Sequence, residues 1–167
     1  MSENPLIELL YGKGAHASSL ACVEDLSAEL AGSTVCGFPH SIWQILKHLN
    51  YWMNYELNRI DGHAAPYPAR AGDSWPVEST PASETEWCSE VLLFAEKLQE
   101  MARLAKSDAE VLTRQVAITT PIHAEQSNSV EAVVAQTVAH NSYHVGQIVL
   151  LRRCLKVWPP KGGGDTW

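Results

Sequence analysis

His140 and His144 stand four residues apart in the run Ala139-His140-Asn141-Ser142-Tyr143-His144-Val145-Gly146-Gln147, and His48 lies inside an apolar-periodic stretch at 41–60. A four-residue step on a helix stacks two imidazoles on one face, one turn apart, so the pair could grip a single ion. His48 is the natural third ligand, because an antiparallel bundle can turn its helix face toward the pair. Three neutral nitrogens with one position left uncovered suit zinc, and nickel and iron also accept imidazole. The competing reading is a hydrogen-bonded core histidine, the usual state of a lone imidazole on an apolar face. Two imidazoles side by side weaken that reading. Without a shared cation their nitrogens need separate partners, and protonation would set like charges against each other.

The same spacing occurs in the zincin helix, where the residue after the first histidine is a glutamate acting as general base. Here that residue is Asn141, so a peptidase mechanism lacks its base. Gln147, Asn141, Tyr143 and Glu56 are the candidates to orient the ligands or touch substrate, since a ligating imidazole normally donates its other N–H. Each is equally a polar residue on a helix face. Trp52 and Tyr55, just beyond His48, could line an apolar pocket mouth or simply belong to the core. Of the remaining histidines, His40, His63 and His123 read as surface residues, while His16 could approach the site from the first helix.

Four helices must position these groups. The first is expected over 15–30, from the spacing of Leu20, Val23, Leu26 and Leu30, with Gly32 as its stop. A second runs over 41–60 and ends at Asp61-Gly62. A loop of about twenty residues follows, rich in proline and glycine; its length makes it functional or poorly ordered, and Trp75 within it favours order. The third helix opens with a Ser83/Glu86 capping box and runs to about Lys106, with a helical stub starting after Ser107. Residues 115–127, aperiodic and containing Pro121, read as a crossover without strands. The last helix is expected from Asn128, with Glu131 in its first turn, to about Leu155; unbroken three-four spacing decides for helix despite its valines. Pro159-Pro160 stop it, and the tail ending in Trp167 reads as a surface segment pinned by that aromatic. The resulting fold class is all-α, a four-helix bundle with one long crossover connection, forming a single domain over 1–167.

Composition narrows the function. The 167 residues suffice for one core without disulfides or a structural metal. A net charge of −7, with Arg152-Arg153 as the adjacent basic pair, argues against a nucleic-acid partner. Cys22, Cys36, Cys88 and Cys154 lack C-x-x-C spacing and read as reduced thiols. The short apolar run at 5–10 carries an acid and fits neither a signal peptide nor a membrane span, so a soluble cytoplasmic chain is expected.

The segment Ser41-Ile42-Trp43-Gln44-Ile45-Leu46-Lys47-His48-Leu49, the run from His140 to Val149, the loop Gly72-Asp73-Ser74-Trp75-Pro76 and the ending Trp158-Pro159-Pro160 to Trp167 resemble the DinB-like superfamily across nearly the whole chain. The resemblance implies a four-helix bundle, commonly dimeric, with a divalent metal held by three histidines that fall here on His48, His140 and His144. It also implies two activity classes: metal-dependent transfer or isomerisation through a low-molecular-weight thiol, or hydrolysis of an unknown substrate. Thiol chemistry is favoured, because a thiolate at a three-histidine ion needs no protein base, whereas hydrolysis requires one and Glu56 is the helical candidate. A third reading is a non-enzymatic stress protein whose ion is structural, which would call for a fourth protein ligand such as a cysteine.

Overall fold

The computed structural model describes residues 4–63, 67–118 and 126–163. His123, Pro121, Pro66 and the tail from Gly164 to Trp167 lie outside them. In chain order the elements are α1 (Pro5–Leu10), α2 (Ala28–Gly32), α3 (Ile42–Ile60), a 3-10 turn (Ala71–Ser74), α4 (Glu84–Ala105), α5 (Ala109–Thr113), β1 (Gln115–Ala117), β2 (Ser127–Ser129) and α6 (Val130–Cys154). The fold is all-α apart from that small sheet. α3, α4 and α6 pack against one another, and α1 closes the bundle on α4 and α6. Buried Ile45, Leu46 and Leu49 of α3, Phe94, Leu98 and Met101 of α4, and Val134, Val145 and Ile148 of α6 form one continuous core.

α3 keeps the boundaries its sequence announces. Ser41 accepts the Gln44 N–H while the Gln44 side chain accepts the Ser41 N–H, a complete capping box. At α4 only half of the expected box forms: Ser83 accepts from Glu86 N–H, but the Glu86 carboxylate takes the Ala82 N–H. α6 starts at Val130, two residues beyond Asn128, and is capped by Ser129, because Asn128 is spent in the sheet. α3 and α6 run antiparallel. His48 meets His140, Met53 meets Asn141, and Arg59 reaches the Ala117 carbonyl beside the strand that enters α6.

Three expectations are corrected. The helix predicted over 15–30 is mostly turns, and only Ala28–Gly32 is helical. The carbonyls of Ala21, Cys22 and Glu24 bind the Arg152 guanidinium, and Asp25 turns the chain at φ 58, so no continuous ladder forms there. Val23 and Leu26 still enter the core, which is why their spacing looked helical. Next, the crossover contains antiparallel β1–β2, with Val116 opposite Asn128. Three residues per strand are too few to show alternation.

The third correction concerns sulfur. Cys36 and Cys154 are joined as a disulfide, whereas Cys22 is a buried free thiol and Cys88 an exposed one. A span of 118 residues between partners carries no spacing signature. Closing so long a loop restricts the unfolded chain, so Cys36→Ser should cost about 2–5 kcal/mol. Urea unfolding should show that loss, and reductant should reproduce it in the unmodified protein while leaving the variant unchanged. Among the described residues no helix is long and apolar enough to cross a membrane.

Candidate metal centre

His48 projects from the second turn of α3, and His140 and His144 from consecutive turns of α6. Packing these helices antiparallel brings the three rings together: one ring nitrogen from each lies within 4.8 Å of the others. The Nε2 atoms of His48 and His140 are 3.2 Å apart, and the His140 and His144 ring centroids are separated by 4.6 Å. His48 and His144 are buried, and His140 is partly open.

Two of the three outer ring nitrogens, those of His144 and His48, meet protein partners. Gln147, one turn after His144, accepts a hydrogen bond from His144 Nδ1 at 2.6 Å, which leaves the Nε2 lone pair free. Ser74 Oγ sits 3.1 Å from His48 Nδ1 and can accept its proton, with the same result at His48 Nε2. Burial pushes the pKa of His48 down to about 3, helped by His144 and His140, and that of His140 down to about 4, helped by His144. Burial also lowers His144, against the support of Gln147. All three rings are therefore neutral at physiological pH, the form a cation requires. Ring nitrogens converging to 3.2 Å, with His48 and His144 anchored from behind, fit a divalent ion.

Sequence reasoning missed the loop's contribution. The turn at Ala71–Ser74 is clipped by the Asp73 carboxylate, which accepts both the Arg70 N–H and its guanidinium. It is tied to α3 by Gln44 Nε2 donating to the Pro76 carbonyl at 3.0 Å. So placed, the loop delivers Ser74 to His48 and lays the Trp75 indole flat on the His48 ring, with centroids 3.8 Å apart and planes 11° from parallel. His40, expected at the surface, stacks on the opposite face of Trp75, also at 3.8 Å. A tryptophan set in a proline- and glycine-rich loop was the one available signal, and it reported order without a partner.

The sequence matches the family model of the DinB superfamily over residues 13–148, a span that includes all three histidines and the loop. The chain belongs to this superfamily. A search of the curated proteins returned no match.

Within this DinB-superfamily protein the remaining candidates separate. Gln147 orients His144. Glu56 lines a cavity of about 340 Å³ that opens beside His48 and His140 and is walled by Trp52, Met53, Trp75 and Thr137. Asn141 is buried, with its amide N–H on the Met53 sulfur at 3.4 Å, and is not among the cavity's lining residues. Tyr143 is 65% exposed and packs at right angles to the His144 ring, so it supports that ring from outside. Trp52 reaches the cavity, whereas Tyr55 packs behind it. His16 approaches α6 but bonds to Ser142 Oγ at 2.9 Å, and His63 is exposed. Among the described residues no cysteine joins the histidine group.

Proposed function

We propose that this protein is a divalent-metal-dependent transferase, with zinc or nickel at His48, His140 and His144, that activates a low-molecular-weight thiol. The observation that carries this reading is the cavity beside His48 and His140, which gives a small molecule access to the nitrogen cluster between indole and thioether walls. Such an ion supplies Lewis acidity, lowering the pKa of a thiol or water presented to it. The protein residues do the rest. Gln147 fixes the tautomer of His144, Ser74 orients the His48 ring, Trp75 shields His48 from water, and Trp52 and Met53 offer an apolar surface to the electrophile. Hydrolysis would need a proton acceptor next to the nitrogens. Glu56 lines the same cavity, but its carboxylate is engaged by the Arg59 guanidinium, which favours the thiol reading over the hydrolase.

The partner is then a small molecule, and the protein itself works as a homodimer; sizing in solution checks the assembly. The activity test offers the metal-loaded protein a panel of small thiols with an electrophile, and separately ester and amide substrates. Loss of free thiol, dependent on both the metal and His144, is the expected result. Turnover confined to the esters and amides would replace this proposal with a hydrolase.

A further inference from the structure

Glu56 is the carboxylate in the wall of the histidine cavity, and only one of its oxygens is in use. Arg59, one turn further along α3, directs both Nε and Nη2 at Oε2, the former at 2.8 Å. Its Nη1 is anchored on the Ala117 carbonyl at 3.1 Å, so the guanidinium is fixed from behind by β1. Oε1 receives no hydrogen bond from a described residue, although the side chain is only 20% exposed. Burial raises the pKa of this carboxylate, with Arg59 opposing, and Oε1 is not sealed in the interior, so it is open to a donor that enters the cavity. Thr137, in the same cavity wall, does not supply a donor to it. Thr137 donates its hydroxyl to the Val133 carbonyl within α6. The other walls, the rings of Trp52 and Trp75, attract cations to their faces.

We propose that this cavity recognises a ligand carrying a protonated primary amine, held by Glu56 Oε1 while the ligand's reactive end faces His48 and His140. A charge-assisted hydrogen bond to a partly desolvated carboxylate is among the stronger polar contacts a small ligand can make. Arg59 acts as a positioning residue that keeps one oxygen turned to the cavity. The inference rests on the reading that this cavity is the substrate site, and it adds the chemical class of what enters.

The test is a binding measurement that needs no turnover. Benzylammonium and its neutral counterpart benzyl alcohol are titrated by calorimetry into the protein as purified and again after chelation, near neutral pH. Benzylammonium should bind about 10-fold or more tighter than the alcohol in both forms, the usual worth of a hydrogen bond to a charged group. Glu56→Gln should abolish that preference, weakening the amine and leaving the alcohol unchanged, with metal content unaltered. Glu56→Asp keeps the charge one carbon further back and should retain a reduced preference, which covers the case in which the Gln variant fails to fold. Equal affinities in the unmodified protein, no binding of either probe, or a preference that survives Glu56→Gln would overturn the proposal. If the thiol screen fails while the amine preference stands, the transfer reading falls and this one does not.

Discussion

His144→Ala should release the metal: the unmodified protein is expected to carry one divalent ion per chain, and the variant should bind it at least about 100-fold more weakly. Losing even an outer partner of a ligating imidazole costs about 10–100-fold, and here the ligand itself is removed. His144 is the most informative of the three because its tautomer is fixed by Gln147 at 2.6 Å, so its Nε2 arrives ready to bind. Elemental analysis of purified and reloaded samples measures the effect. Equal metal content in the variant and the parent would remove the centre, and the proposed chemistry with it.

The metal-free protein should also respond to acid in a defined direction. His48 and His140 have pKa values lowered from 6.5 to about 3 and about 4, burial being the main cause in each. Between those values and 6.5 the unfolded chain binds protons that the fold refuses, so stability is full above pH 6.5 and declines as pH falls through that window. A bound ion would oppose the decline by competing with protons for the same nitrogens.

The i,i+4 pair was legible because both rings sit on one continuous helix, where spacing alone sets direction. His48 was legible more weakly, since placing it beside the pair required the antiparallel packing of α3 on α6. Ser74 and Trp75 were not legible at all. They act from an irregular segment whose path is decided by particular bonds, such as Gln44 to the Pro76 carbonyl, and no periodicity reports such contacts. The failed helix at 15–30 has the opposite cause. Its apolar spacing is real and its side chains are buried, but its backbone carbonyls answer to Arg152, 128 to 131 residues away. Propensity and pattern are local quantities, and here a tertiary partner holds carbonyls that a helix would have turned along its axis.

Arg152 therefore carries the second large expected effect. Its side chain is 1% exposed, near the C-terminus of α6. Nη1 donates to the carbonyls of Ala21, Cys22 and Glu24 at 3.0, 3.1 and 2.8 Å, while Nε and Nη2 both donate to the Val157 carbonyl, and the guanidinium lies over Trp158. Burial lowers its pKa, with Asp25 and Glu24 opposing, and an arginine so placed stays charged. Arg152→Met would fill much of the volume but leave the carbonyls of Cys22, Glu24 and Val157 without their donors and that of Ala21 with only the Glu24 N–H. At about 1–3 kcal/mol for each buried group left unpaired, and allowing for relaxation and water entry, the loss should reach about 3–5 kcal/mol, a large share of the 5–15 kcal/mol that holds a typical domain together. Arg152→Lys should recover only part of it, because an ammonium on a flexible stem cannot serve both carbonyl groups in one plane. Chemical denaturation of the three proteins gives the comparison. Metal content per folded molecule should stay constant across them, because Arg152 lies two turns beyond His144 and does not touch the histidines. A Met variant within about 1 kcal/mol of the parent would mean that the turns at 21–24 hold their shape without the guanidinium, and would leave the missing first helix without this explanation.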